Sequence, residues 1–196
     1  MSAIEILLFV NYLKTERGFS KHTLRAYMND LDQFCDFVDR GAAAFAHPFG
    51  EPRPKASLEA LHRATRNEVR AFLAHVQTTG GTPRTAARKL ASLRAAYKFL
   101  VRRGMLEDNP AQEVKSPKLS RELPDVLSVP EVTQLLEAPD TAAPLGARDR
   151  ALMETLYSSG MRAAECAGLK VSDLDLGRGV ARVLGKRRKE RIAQLG

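Results

Sequence analysis

With 196 residues and 44% hydrophobic content, the chain has enough apolar material for one large or two small packed domains, which excludes a disordered polymer. Thirty-one Lys and Arg against 23 Asp and Glu leave a formal charge of +8, a balance that favours a polyanionic partner such as nucleic acid. Cys35 and Cys166 each fall in a helical pattern among apolar neighbours and read as small core residues, which suits a reducing, cytoplasmic setting better than a disulfide framework. The histidines, His22, His47, His62 and His75, lack ligand spacing, so no metal and no other cofactor is expected. The apolar run Ile6 to Val10 follows Glu5 rather than a basic segment and is too short for a membrane span, so it reads as neither signal peptide nor anchor.

The first helical pattern runs from about Ala3 to Glu16 and stops at Gly18. A second begins after Ser20, a residue suited to cap it, and sets Leu24, Tyr27, Leu31, Phe34 and Val38 on one face. The proline- and glycine-bearing segment 41–57 has no sustained period and reads as a long loop. Thr65-x-x-Glu68 matches a capping box ahead of Val69, Phe72, Leu73 and Val76.

The pattern from about Thr85 to Arg103 divides into two faces. Between Thr82 and Met105 stand seven basic residues and no acid. At about 100° per residue, Arg84, Arg88, Arg94, Lys98 and Arg102 share a sector roughly 120° wide, opposite a sector of about 100° holding Leu90, Leu93, Tyr97, Leu100 and Val101. Such a helix packs by one face and offers a cationic stripe on the other. Duplex DNA carries one negative charge per about 1.7 Å of axis, and a stripe of one sign suits it, whereas solvated helix faces usually alternate sign.

From Asn109 to Pro130 the chain has four prolines and no apolar period, and reads as an interdomain linker. Ser128-x-x-Glu131 forms another capping box, with Pro130 in the first turn of a helix to about Glu137. A further helix spans Arg148 to Ser159, with Leu152, Leu156 and Tyr157 at helical spacing, and Gly160 closes it. After Ser172 the period becomes extended, and Val180–Leu184, a basic turn and Arg191–Leu195 read as a hairpin.

Arg162, after the Ser-Ser-Gly-Met break at 158–161, would by itself be a surface pair or a carbonyl cap, and Lys186 an ordinary turn lysine. Together with their surroundings they carry a resemblance. The stretch LYSSGMRAAECAGLKVSDLD followed by VARVLGKRRKERIAQLG resembles the first half of the catalytic domain of a tyrosine recombinase of the phage-integrase superfamily, in the XerC/XerD group and most like XerC. Ser20-x-x-Thr23-x-x-x-Tyr27-x-x-Asp30-Leu31-x-x-Phe34 resembles that group's N-terminal core-binding helices, and Arg88-Lys89-Leu90-Ala91-Ser92-Leu93-Arg94 its later DNA-facing helix.

The resemblance implies a mainly α, SAM-like N-terminal helical bundle (core-binding domain, 1–114), a linker (115–127) and an incomplete α+β catalytic domain with a small antiparallel sheet (128–196). It implies site-specific recombination of duplex DNA by strand cleavage and rejoining through a phosphotyrosine, as in chromosome dimer resolution. The implied partners are a tetramer on two DNA sites, with itself or a paralogous recombinase, and a septal DNA translocase. Arg162 matches the arginine that contacts the scissile phosphate, where a planar, permanently charged fork answers developing oxyanion charge. Lys186 matches the hairpin lysine that protonates the leaving 5′ hydroxyl, a general-acid task. Glu165 in Arg-x-x-Glu is placed either to orient Arg162 or to stand exposed at a helix start. The family's His-x-x-Arg motif and its tyrosine have no match here, and Tyr12, Tyr27, Tyr97 and Tyr157 read as core. The polypeptide is therefore expected to bind DNA without cleaving it. A non-catalytic DNA-binding module or regulator and a helical adaptor for acidic proteins stand as alternatives.

Overall fold

The computed structural model describes residues 3–41, 59–120, 125–185 and 189–195, and the chain divides into two compact units, 1–121 and 122–196. Apart from Gly41, the long loop expected over 41–57 lies outside the described residues. The first unit is helical, with α1 (Ala3–Thr15), α2 (Lys21–Arg40), α3 (Ala60–Arg63), α4 (Arg66–Thr78) and α5 (Pro83–Arg102). Local chemistry sets the starts. Ser20 Oγ accepts the Thr23 N–H at 3.2 Å, Thr65 N–H donates to Glu68 Oε2 at 2.6 Å in a reciprocal capping box, and Thr82 Oγ1 accepts the Thr85 N–H at 3.1 Å ahead of Pro83. The single turn α3 is too short to carry a period, and the sequence does not announce it.

The apolar faces meet in one core. Phe9 and Leu13 of α1, Leu31 and Phe34 of α2, Val69 and Phe72 of α4, and Leu90, Leu93, Tyr97 and Leu100 of α5 are fully buried. Leu24, Tyr27 and Val38 pack partly buried at its margin. Phe34 stands edge-on to Phe72 and Tyr97, with ring centroids 5.3 and 6.5 Å away, the geometry that the ring quadrupole favours. Burial pushes the Cys35 thiol up to about 12, so it behaves as a small apolar residue.

The first core extends into the start of the run that reads as linker, for Ala111 and Val114 are buried in it. The reason is a side chain from α5. Arg94 donates through Nε to Ala111 O at 3.1 Å and through Nη2 to Gln112 O at 3.4 Å and to Val114 O, which ties down a turn that has no helical or strand pattern of its own.

A buried polar cluster joins α2 to α5. Asp30 has no exposed surface; its Oδ2 accepts from Ser92 Oγ at 2.8 Å and from Arg88 Nη1, and its Oδ1 accepts from Lys89 Nζ at 3.1 Å. Lys89 also donates to Gln33 Oε1 and lies 5.8 Å from the centre of the Phe72 ring.

The second unit contains α6 (Val129–Glu137), α7 (Pro144–Ser159) and α8 (Ala163–Ala167), then a 3-10 turn at Val171–Asp173 and strands β1 (Leu174–Asp175), β2 (Val180–Leu184) and β3 (Glu190–Gln194). The strands form an antiparallel sheet in the order β1-β2-β3, with Ala181 opposite Leu174 on one side and Ala193 on the other. Strand alternation turns Ala181, Val183 and Ala193 inward, where they meet Met161 and Cys166. Helix α7 begins at Pro144, before the apolar spacing starts, because proline is pre-set for a first turn. Tyr157 is not core: it is 61% exposed, since α7 turns the adjacent Leu156 to the small core and Tyr157 projects about 100° around the helix. Among the described residues no helix is long and apolar enough to cross a membrane.

Removing Asp30 while leaving Lys89 strands an ammonium in a nearly dry site. Asp30→Ala should cost about 3–5 kcal/mol in urea unfolding, and adding Lys89→Met should recover most of that loss. Equal stability of the single and double variants would show that the cluster does not behave as a buried ion pair.

Candidate functional site

Arg162 owes its position to the residues on either side. Gly160 ends α7 in the left-handed region at φ 58°, where a side chain would be strained, and its N–H donates to Leu156 O at 3.1 Å. Met161 then plugs the core with only 5% exposure, which forces the next side chain outward. Arg162 stands in extended conformation as the residue before α8, and its carbonyl accepts from Glu165 and Cys166 N–H, each at 2.9 Å.

Glu165 organises this corner. Its Oε2 accepts the Arg162 backbone N–H at 2.9 Å, its Oε1 accepts from Arg162 Nη1 at 2.9 Å, and Arg191 Nη2 of β3 donates to Oε2 at 3.0 Å. The Glu165 side chain is 7% exposed, against 72% for Arg162. The glutamate is therefore the fixed member, and the guanidinium reaches outward with its other nitrogens unpartnered among the described residues. Of the two placements open to Glu165 in the sequence, orienting Arg162 is the one observed. The Arg162 N–H in the first place, with both guanidiniums adding to it, holds the Glu165 carboxyl below its ordinary value of 4.5. Gly185 lies against the same carboxylate, since a Cβ there would stand 3.5 Å from Glu165 Oε1 and 3.2 Å from Lys189 O. Lys186 lies outside the described residues.

On α5 the five stripe residues are put to different uses. Arg84 and Lys98 have no hydrogen bond or ion pair to another side chain among the described residues. Arg102 approaches Glu16 at 3.8 Å across exposed surface, a contact of little energetic weight. Arg88 is half-exposed and engages Asp30, and Arg94 is committed to the 111–114 carbonyls. Arg94, Lys98 and Arg102, with Asn109 and Gln112, line one open concavity of about 680 Å³. Lys89, about 20° from Leu100 on the helical wheel, falls with the apolar side and is buried.

Two residues of these sites escaped the sequence reading. Arg191 pairs with Glu165 across 26 positions, which no local spacing reports. Asp30 did carry a signal: on the wheel it lies about 40° from Phe34, an acid on the margin of an apolar face. Among the described residues no group of His, Cys, Asp or Glu side chains is placed to hold a metal ion.

Two family models match this arrangement in order, the phage integrase N-terminal SAM-like domain over residues 6–48 and 53–104 and the phage integrase family over residues 125–196. The chain belongs to the phage integrase family. This integrase-family chain is 41% identical to the tyrosine recombinase XerC of Pelotomaculum thermopropionicum over 189 residues, which are 96% of this chain and 58% of the relative. It is 36% identical to the tyrosine recombinase XerD of Listeria innocua over 96% of this chain and 59% of that protein. The chain thus spans less than two thirds of the length of these relatives. Its fold resembles a lambda integrase (75–356) dimer bound to a COC' core site (TM-score 0.68, 20% identity, 98% of this chain and 62% of that one). It also resembles the XerH site-specific recombinase bound to a palindromic difH substrate (TM-score 0.63, 20% identity, 97% of this chain and 53% of that one).

The integrase-family unit around Arg162 closes three turns with carboxylates. Glu131 accepts from Ser128 N–H and Oγ, each at 2.7 Å, and Asp173 accepts from Lys170 N–H at 3.0 Å and Arg182 Nη2 at 3.2 Å; both carboxyls, like Glu165, are held below their ordinary values. A carboxyl depressed in the folded state contributes stability in full above its unfolded value and loses it as pH falls through the folded one. The unfolding temperature of the second unit should therefore hold above pH 4.5 and decline progressively below it. Glu165→Gln should shallow that acid limb when melting is followed against pH, and an unchanged limb would remove Glu165 from the account.

Proposed function

We propose that this chain is the DNA-binding and phosphate-clamping part of a cytoplasmic tyrosine recombinase. In this reading strands are cleaved and rejoined through a phosphotyrosine at short sites, as in chromosome dimer resolution. The carrying observation is Arg162, a guanidinium fixed at its base by a nearly buried glutamate and left open at its tip. A fork so preorganised suits the non-bridging oxygens of a phosphodiester, whose charge grows as an oxygen attacks phosphorus. Lys186 is assigned to protonate the leaving 5′ oxygen. Arg84, Lys98 and Arg102, with Arg88, follow the duplex backbone, and Arg94 contributes by holding the turn beside them. Relatives named as tyrosine recombinases and neighbours described as dimers and tetramers on DNA support a tetramer on two sites, with itself or a paralogous recombinase. A septal DNA translocase is the further partner of this reading.

The chemistry also needs a nucleophile, and we assign none to Tyr12, Tyr27, Tyr97 or Tyr157. Tyr97 is fully buried, Tyr12 and Tyr27 pack at the core margin, and Tyr157, though exposed, makes no hydrogen bond through its hydroxyl among the described residues. The 196-residue chain then binds DNA without cutting it, which is also what a non-catalytic DNA-binding module does.

Two measurements test the reading. Replacing Arg84, Lys98 and Arg102 with alanine should weaken binding to all duplex sequences and shallow the slope of log affinity against log salt by about 0.9 per lost phosphate contact; an unchanged slope would remove the stripe from the interface. On a nicked suicide substrate the chain should form no covalent adduct that survives a denaturing gel. Fusing it to the remaining part of a full-length relative should produce the adduct, and Arg162→Ala should slow that reaction by about 10²- to 10³-fold. A fusion that binds but never forms the adduct would favour the non-catalytic module.

A further inference from the structure

We propose that Asp30 is a positioning residue for the polyanion: buried beneath α5, it grips one edge of the Arg88 guanidinium and so presents the other edge to a backbone phosphate. The inference rests on the DNA-binding reading above. One carboxylate with no exposed surface calls for one cation, and Lys89, 5% exposed and 3.1 Å from Oδ1, already supplies it. Ser92 adds a neutral donor at 2.8 Å to Oδ2. Arg88 is thus surplus to neutralisation, and the cluster carries a net positive charge whose outer member is Arg88.

The geometry places that surplus at the boundary with solvent. The Arg88 side chain is 46% exposed while its partner is fully enclosed, so the ion pair spans the protein surface. The recorded contact to Asp30 uses Nη1. A guanidinium holds its five N–H donors in one rigid plane, so fixing one edge inward fixes the direction of the other. Ser92 and Lys89 hold the carboxylate in turn, and an arginine anchored this way has surrendered before binding the rotamer freedom that a free surface arginine loses on contact. A lysine at 88 has a single ammonium and serves the carboxylate or the phosphate, but not both with defined geometry.

The test turns on a difference of sign. Deleting a negative charge beneath a DNA-facing helix strengthens binding if electrostatics alone is at work, whereas releasing a positioned arginine weakens it. Affinity of the full 196-residue chain for a random-sequence duplex, followed by anisotropy at several salt concentrations, should fall about tenfold for Asp30→Asn, with a salt slope shallower by about 0.9. Arg88→Ala should show the same loss, and Asp30→Asn combined with Arg88→Ala no further loss. Arg88→Lys should lose nearly as much as Arg88→Ala despite the retained charge, and it carries the test if Asp30→Asn fails to fold by its melting curve. Tighter or unchanged binding by a folded Asp30→Asn, or full affinity in Arg88→Lys, overturns the proposal. A wild-type chain that ignores duplex DNA overturns instead the reading on which it rests.

Discussion

A carboxylate shut off from water has to be answered by donors, and in the first unit that requirement decides how α2 meets α5. Every recorded partner of Asp30 comes from one turn of α5, Arg88 to Ser92. Leucine and phenylalanine faces would tolerate a slip of one helix along the other at modest cost, because apolar contact has no direction. The polar cluster does not tolerate it, since a slipped Lys89 would stand uncompensated among apolar groups. With that register fixed, the outward face of α5 is fixed too, and Arg84, Lys98 and Arg102 occupy it, Arg102 with only the exposed contact to Glu16 and the Tyr12 ring beside it.

The second unit solves a different problem with less apolar material. Its buried core is Met161, Cys166, Ala181, Val183 and Ala193, mostly small residues, and large apolar side chains such as Val129, Leu145 and Ile192 remain exposed. Carboxylates do much of the local ordering instead. Glu131, Glu165 and Asp173 each reach back to the N–H that opens their own turn, and Glu165 and Asp173 also receive a guanidinium from the sheet, Arg191 and Arg182. Helix start, hairpin and candidate phosphate fork therefore share hydrogen bonds, so the position of Arg162 is coupled to the pairing of β2 with β3.

What the sequence made legible follows from the range of the forces involved. Caps, proline starts and apolar periods act within a few residues, which is why Ser20, Thr65, Ser128 and the faces of α2, α4 and α5 could be read directly. The candidate fork at Arg162 was legible only through resemblance, since an arginine after a helix-ending glycine has many ordinary uses. Contacts across long separations left weaker traces or none. The stripe on α5 looked uniform because a helical wheel sees one helix; the structure shows Arg94 drawn off by carbonyls 17 to 20 positions away and Arg88 by an acid 58 positions away. Tyr157 departs from its sequence pattern for a related reason: helical spacing ranks it with Leu156, but the core that α7 faces is narrow and takes only one of the two.

The left-handed turn at Gly160 bears on which changes of length the second unit can absorb. Arg162 follows that turn by two residues, a span of at most roughly 7 Å, and Glu165 meets the Arg162 N–H only at its present spacing. One residue added between them would carry the carboxylate about 100° around the axis and away from its donor. Leu176, Gly177 and Arg178, in the connection between β1 and β2, are exposed and leave room to lengthen. Insertions and deletions among natural variants of this chain should therefore collect in connections of that kind and be absent from residues 160–165.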